Sequence, residues 1–192
     1  MTSDGQPPGP HAADIQAIRE SFGRVVYSHK THEKAREIEA RAADRVKWVN
    51  IILITLTSGT LLSSVISDQK ILLYVSTAVS AAAFAFTVFQ LSFNPEKSAE
   101  QHRATAKELW YIRERYIHLL TDISSGNVTD IQARRDQLIK ELRFIYRFAP
   151  DTSSSAYTAA QKALQINEEM TFSTDEIDRF LPEALRMGGQ VG

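Results

Sequence analysis

Cysteine is absent from this chain of 192 residues. Its absence excludes a disulfide framework, zinc sites built on thiolates and a cysteine nucleophile, while it leaves the cellular compartment undecided. Basic charge is not in excess either, because 22 Lys and Arg residues stand against 23 Asp and Glu residues. A general nucleic-acid binder normally shows a strongly basic face, so we expect no direct binding of nucleic acid.

Sequence signatures of catalysis are also missing. The chain contains no glycine-rich phosphate loop, no nucleophile elbow and no paired-carboxylate pattern. We therefore predict that the protein is not an enzyme, and we assign it no catalytic residue, no cofactor and no metal ion. The alternating polar and apolar residues of a half-buried strand are nearly absent as well, which predicts an all-α fold.

Two long apolar runs, separated by a four-residue polar break, dominate what the sequence does contain. The first covers residues 48–66 and the second residues 71–93, and neither holds a charged side chain. About 20 helical residues span roughly 30 Å, the thickness of the hydrocarbon core of a bilayer. We therefore predict an all-α membrane protein, in which a two-helix transmembrane hairpin carries a cytoplasmic helical bundle.

A buried hairpin in the core of a soluble helical bundle is the alternative. The Thr and Ser residues of the first run support it, because they make insertion of that helix alone only modestly favourable. Against it, two helices without a polar face need a full shell of apolar partners. The rest of the chain is too highly charged to supply that shell.

Flanking charges predict the orientation of the hairpin. Five basic residues precede it within residues 34–47, and three follow it within residues 97–107. The connecting turn, residues 67–70, holds one Lys and one Asp. The positive-inside rule therefore places both termini in the cytoplasm and the turn outside.

Helical periodicity accounts for most of the remaining chain. Residues 1–13 are rich in Gly and Pro, and we predict a disordered leader there and a disordered tail at residues 187–192. Residues 14–186 are predicted to form one domain, with cytoplasmic helices in residues 14–47 and 96–182. The sequence leaves open whether Gly23 breaks the first helix and whether Pro95 breaks or bends the second membrane helix.

Capping boxes predict the starts of two later helices, at residues 129–132 and 173–176. A further helix is predicted from about residue 155 to Met170.

A polar segment interrupts the apolar stripe of the first helix. Its candidate residues are His29, Lys30, His32 and Glu33. The two histidines share a helix face and would need a third metal ligand such as His102 or His118, which makes the metal signal weak. A polar helix face near the membrane surface is the simpler interpretation, and we treat the segment as a candidate for response to a partner or ligand.

Small and polar residues recur at helical spacing along both apolar runs. The six candidates are Asn50, Thr57, Ser64, Ser76, Ser80 and Thr87. Close packing of helices is the commoner use of such stripes, because small residues let backbones approach and hydroxyls bond across the contact. The alternative is a stripe that lines an aqueous path in an oligomer, since two helices cannot enclose a pore.

Several longer strings resemble a known family: residues 22–34, the two membrane runs, residues 109–116 with 119–122, 149–153, 156–157, 160–164 and 167–173. The chain is similar to the SLATT family, the SMODS and SLOG-associating two-transmembrane effector domains. The resemblance covers nearly everything after the leader. It implies an effector of bacterial conflict systems, such as anti-phage defence signalled by cyclic oligonucleotides, and it carries over no catalytic residue.

The resemblance implies an effector that forms pores and kills or arrests an infected cell when a partner signals. We accordingly expect a multi-pass protein of the bacterial cytoplasmic membrane that forms homo-oligomers in the lipid bilayer. Its trigger is expected to be a cyclic oligonucleotide, another nucleotide-derived signal or a partner protein of the same system. The alternative is a membrane anchor or adaptor that conducts no ions and recruits a cytoplasmic partner.

Overall fold

The computed structural model describes residues 11–66 and 70–180. These residues form six α-helices and no β-strand: α1 (Ala12–Ile66), α2 (Lys70–Ser92), α3 (Pro95–Ser124), α4 (Ile131–Phe148), α5 (Ser154–Gln165) and α6 (Thr174–Phe180). The predicted all-α fold is confirmed. Most of the predicted leader, the predicted tail and residues 67–69 of the predicted turn lie outside the described residues.

α1 is one continuous helix of 55 residues that joins the helical bundle to the first apolar run. Gly23 lies in its interior and does not end it. A glycine inside a helix costs about 1 kcal/mol, which packing of the neighbouring turns offsets. Ile18 and Val25, for example, are 0% and 1% exposed. The chain therefore passes from the bundle into the apolar run without a break.

α2 and α3 return along α1 in the antiparallel direction, and Phe93 and Asn94 separate them. Pro95 is the first residue of α3, and the Asn94 side chain accepts a hydrogen bond from the Lys97 backbone N–H at 3.0 Å. A proline disfavours helical geometry in the residue before it, and Asn94 has the non-helical angles φ −118° and ψ 82°. Pro95 therefore breaks the helix rather than bending it.

The apolar side chains of the α1–α2 hairpin point away from the protein. The most apolar windows of the two long helices are 0% and 6% buried. Leu62 and Phe84 are 66% and 72% exposed, whereas Ser76 is only 1% exposed. The core hairpin of a soluble bundle would bury its large apolar side chains, so that alternative is wrong. Both helices are long and apolar enough to cross a membrane.

The bundle core forms where α3 and α4 pack on the N-terminal half of α1. Its buried apolar residues are Ile18, Val25, Ile112, Tyr116, Leu119, Ile131 and Leu138. Polar contacts attach α4 along the same part of α1: Arg135 pairs with Asp14, and the Tyr146 hydroxyl donates to Ser28 Oγ at 3.0 Å. The C-terminal end of α4 therefore lies beside the middle of the bundle segment of α1.

α5 packs on α1 through a face of alanines. Ala156, Ala160 and Ala163 are at most 1% exposed and lie at helical spacing, so they let the two helix backbones approach closely.

Two helix ends differ from their predictions. The N-cap of α4 is Asp130 rather than Thr129, and Asp130 accepts a hydrogen bond from the Ala133 N–H at 2.8 Å. The capping box at residues 173–176 does start α6, since Ser173 Oγ accepts from the Glu176 N–H at 3.2 Å. α5 ends at Gln165 instead of Met170, and it cannot reach Met170 because Glu168 and Met170 have left-handed φ angles of 51° and 75°, which no α-helix accommodates.

Candidate functional site

The polar segment of α1 is buried inside the bundle. His29, Lys30, Thr31 and His32 are consecutive, and each is between 4% and 7% exposed. Consecutive residues point to all sides of a helix, so their burial requires neighbours on all sides, and α1 contacts α3, α4 and α5. The interpretation as a polar helix face near the membrane surface is therefore wrong for these residues, which are buried in the bundle. Glu33 is half-buried at the edge of the segment.

Two histidines of the segment bond to α3. His29 Nδ1 donates a hydrogen bond to the Ala106 carbonyl oxygen at 2.9 Å, and its Nε2 lies 3.7 Å from Glu33 Oε1. His32 Nδ1 lies 2.9 Å from His102 Nδ1. One of these two nitrogens must donate and the other accept, so at least one of the two rings is neutral.

Burial controls the ionisation of this histidine pair. Loss of solvation is the main cause that lowers the pKa of His32 to about 4, and His102 and His29 add to the effect. Burial lowers the pKa of His102 as well. Burial has this effect because a charged imidazolium loses its hydration, and at His102 the charge of Glu39 offsets this loss only in part. The pair is therefore uncharged at neutral pH.

Lys30 is a buried cation with two carboxylate partners. Its Nζ lies 2.8 Å from Glu33 Oε2 and 2.7 Å from Glu169 Oε2, and Lys34 Nζ lies 3.5 Å from Glu169 Oε2. Burial acts to lower the pKa of Lys30, but the hydrogen bonds and charges of Glu169 and Glu33 together raise it. The hydrogen bond from Lys30 lowers the pKa of Glu169 to about 2. Lys30 and Glu169 are therefore both ionised at neutral pH.

These ion pairs fasten the segment after α5 onto α1. Glu169 lies between Glu168 and Met170, whose φ angles of 51° and 75° fall in the left-handed region. Such angles are unfavourable for residues with a Cβ atom and persist only where other contacts hold them. We call residues 166–173 the strap, because Glu169 ties this connection between α5 and α6 to the buried cluster.

Metal ligation has little support in this cluster. The structure brings His102 to His32, but His118 lies several turns further along α3 on an exposed face. Within residues 11–66 and 70–180, no three His, Cys, Asp or Glu side chains are placed to hold a metal ion. The arrangement instead offers a neutral imidazole pair next to a network of ionised side chains.

Most of the predicted stripe of the hairpin faces the contact between α1 and α2. Ser76 is buried, Asn50, Thr57 and Ser80 are half-buried, and Thr87 is exposed. The side chain of Ser64 lies outside the described part of the structure. Thr57 Oγ1 and Ser76 Oγ each donate to a backbone carbonyl of their own helix, at 2.8 Å and 2.9 Å. Within one protomer these residues favour helix packing, and their lining of a pore stays a prediction.

A second set of small residues, which the sequence reasoning missed, lies on the outside of the hairpin. We call the row on α1 the outer small face; its members, Thr55, Gly59 and Ser63, are exposed and four residues apart, and α2 carries a similar exposed row on its own outer side, at Thr77, Ala81 and Ala85. A Cβ atom added at Gly59 would meet no atom within 4 Å. The four-residue spacing of small residues is a sequence signal for helix association, and only the structure shows which set is free to associate.

Glu169 was also missed, for a different reason. Its partner Lys30 lies far away in sequence, so no local pattern could reveal the pair. By contrast, the alanines of α5 carry a readable helical spacing that indicates a closely packed face.

Residues 15–176 match the model of the SMODS and SLOG-associating 2TM effector domain family 4. The chain belongs to this family. No curated protein and no solved structure matches it.

The family match includes the hairpin, the buried polar segment and Glu169. It confirms the family predicted from the sequence, a family of two-transmembrane effectors in conflict and defence systems. Together with the two long apolar helices, the match identifies a membrane protein. Effector domains of this family are not known as enzymes.

Proposed function

We propose that the protein is an effector of anti-phage defence whose hairpins assemble in the bacterial cytoplasmic membrane and make it permeable. A partner protein or a nucleotide-derived signal acts on the bundle, which lies in the cytoplasm together with both termini. The outer small face carries this proposal. Small residues exposed on the lipid side of a hairpin contribute little apolar contact with lipid but let a second helix approach closely.

The pore-lining step follows assembly. Asn50, Thr57 and Ser80 are half-buried between α1 and α2, so an aqueous path requires these two helices to rotate or separate when copies associate. A signal drives such a change only if it binds the assembled state more tightly than the resting state. The buried cluster of His32, His102, Lys30 and Glu169 connects α1, α3 and the strap. We therefore expect a signal that binds the bundle to change the contacts of this cluster.

Substitutions at Gly59 test assembly without disturbing the protomer. In Gly59→Leu, the new side chain points into open space in the protomer but separates neighbouring hairpins. We expect it to insert normally, to lose the oligomer on crosslinking in membranes, and to lower ion flux through liposomes at least tenfold. Gly59→Ala is the matched control and should keep both the crosslinked oligomer and the ion flux. Full flux in Gly59→Leu would contradict assembly through this face.

Thr57→Leu and Ser80→Leu test the lining of the path separately. These variants should insert and still form crosslinked oligomers, while ion flux is lost because the path becomes apolar. Flux is to be measured with and without a panel of cyclic oligonucleotides. Unchanged flux in both variants would rule out a path lined by this stripe.

An adaptor that conducts no ions is the second candidate, and the outer side of α4 favours it. Five exposed residues form one stripe there: Lys140, Arg143, Phe144, Arg147 and Phe148. Phe144 and Phe148 are 67% and 68% exposed, and exposed aromatic and arginine side chains are typical of protein interfaces. The adaptor predicts that Phe144→Ser abolishes capture of a partner while the membrane potential of expressing cells never changes.

A further inference from the structure

A large cavity opens between α1 and α3 at the point where the hairpin leaves the membrane. Its volume is about 960 Å³, and it extends along α1 from Asn50 to Arg36. The first apolar run begins at Trp48 and the second ends at Phe93, so the upper end of the cavity coincides with the edge of the hydrocarbon core. This edge is where phospholipid headgroups lie.

The cavity exists because the facing side chains are small. Ala40 and Ala43 of α1 and Ala99 of α3 are among the residues that line it. The helix break at Asn94 and the proline that follows it lie at the same gap, where the α2–α3 backbone is not helical. Alanines leave the space unfilled that larger side chains occupy elsewhere in the bundle, so a gap wide enough for a polar group remains.

Basic side chains line this gap at two levels. Lys47 and Lys97 lie at the upper end, one residue before the first apolar run and four residues after the second. Arg36 and Arg103 line the lower end. Within the described part of the chain, no carboxylate lies within ion-pair distance of Lys47, Lys97 or Arg36. Among these same described residues, Arg103 pairs with Glu100 alone, at 3.5 Å.

The cavity also contains carboxylates, but they do not cancel the cations. Four basic residues line it against three acidic ones, which are Asp44, Glu96 and Glu100. A phosphate diester carries one negative charge, so a bound phosphate would balance the site. The two lysines at the upper end provide ammonium groups at headgroup level, where each basic residue attracts an anionic lipid by about 1 kcal/mol, or about fivefold.

The surfaces above the cavity fit acyl chains. Leu91 is 82% exposed and Trp48 is 64% exposed, and both lie on the hairpin next to the cavity. An indole at the edge of an apolar run is typical of residues that anchor at the headgroup level. A ligand in this place thus meets cations at one end and apolar side chains at the other.

We propose that the gap between α1 and α3 binds the phosphate of one anionic phospholipid, with Lys47 and Lys97 as its cationic ligands and the acyl chains lying along α1 and α2. This site rests on insertion of the hairpin in the membrane and is independent of any conduction of ions. It gives the hairpin a fixed height in the bilayer and joins α1 to α3 through a lipid.

Native mass spectrometry of the full-length protein in mild detergent tests the site. Phosphatidylglycerol or phosphatidylcholine is added, and the lipid molecules retained per protomer are counted. We expect one phosphatidylglycerol to be retained much more tightly than phosphatidylcholine. Lys47→Gln with Lys97→Gln should weaken this retention about twenty-five-fold, the product of two fivefold losses. Lys47→Arg with Lys97→Arg should retain the lipid.

Two further variants and one competing ligand make the test specific. Arg45→Gln removes an exposed cation at the same height outside the cavity, so it should leave retention unchanged. Ala43→Leu keeps every charge but fills the gap, and it should expel the lipid. Glycerol 3-phosphate should not displace phosphatidylglycerol.

Equal retention of both lipids, or equal loss in Arg45→Gln and in the double lysine variant, would show general attraction to the surface and overturn the site. Retention of phosphatidylglycerol in Ala43→Leu would show that the lipid does not bind in the gap. Displacement by glycerol 3-phosphate would show that the site binds a free phosphate rather than a phospholipid. Because no outcome is measured as ion flux, failure of the proposed pore leaves this result unaffected.

Discussion

His32 and His102 share one hydrogen bond in an environment that excludes water, and this makes the stability of the bundle depend on pH. In the unfolded chain His32 takes up a proton below pH 6.5, whereas in the folded protein its pKa is about 4. Above pH 6.5 both states are neutral, so pH has no effect there. Between pH 6.5 and pH 4 the unfolded state binds more protons than the folded state. The free energy of unfolding therefore falls as the pH is lowered through this range.

We predict a loss of about 3 kcal/mol in the free energy of unfolding between pH 6.5 and pH 4, from a shift of about 2.5 units. The measurement is thermal unfolding of the full-length protein in detergent, followed by circular dichroism at a series of pH values. His32→Gln, which removes the titrating group, should flatten this dependence. His118→Gln, at an exposed position of α3, should behave as wild type. A full pH dependence in His32→Gln would contradict the assignment.

Glu169 contributes in a separate pH range. Its pKa is lowered to about 2 by Lys30, so the stabilisation from this pair is present above pH 4.5 and is lost as the pH falls towards 2. The two ranges barely overlap, because one group is a histidine held neutral and the other a carboxylate held charged. Acid titration therefore separates the imidazole pair from the strap.

At the scale of single elements, the start of α3 determines where the membrane helix ends. Asn94 Oδ1 accepts a hydrogen bond from the Lys97 N–H, which would otherwise be unpaired in the first turn of α3. Asn94→Ala should cost about 1 kcal/mol of stability, and amide hydrogen exchange in residues 95–98 should become faster. Asn127→Ala, in the exposed loop after α3, should change stability by less than about 0.5 kcal/mol. Exchange that stays slow in Asn94→Ala would show that the cap is dispensable.

At the scale of the whole molecule, the orientation of the hairpin can be measured directly because the chain contains no cysteine. Lys70→Cys places a single thiol at the start of α2, and Asn127→Cys places one in the loop after α3. A membrane-impermeant thiol reagent should label Lys70→Cys in intact cells and Asn127→Cys only after the membrane is opened. The physical reason is the excess of Lys and Arg next to the bundle side of the hairpin.

Detergent-solubilised protein is the control for this labelling, since both thiols should then react fully. Labelling of Asn127→Cys in intact cells, with Lys70→Cys protected, would reverse the orientation. It would also remove the bundle from the cytoplasm, where the proposed signal acts.

How much the sequence could predict differs between these scales. The start of α6 after Ser173 could be predicted because a capping hydrogen bond joins residues a few positions apart, whereas the sequence left open whether Pro95 breaks or bends the helix. The N-cap at Asp130 was displaced by one residue, because Thr129 and Asp130 are both good caps and packing of Ile131 on the core decides between them. Where two adjacent residues are both good N-caps, local sequence patterns cannot predict which of them starts the helix.

By itself, the sequence determined that two long apolar helices form a hairpin able to span a bilayer, because charge-free runs of this length are stable only in lipid or in an apolar core. Only the tertiary structure decided that the most polar segment of α1 is buried. Residues 29–32 look solvated until α3 and the strap bring His102, the Ala106 carbonyl and Glu169 to them. Partners so distant in the chain leave no periodic signal, and a buried polar group is stable only when such partners meet it.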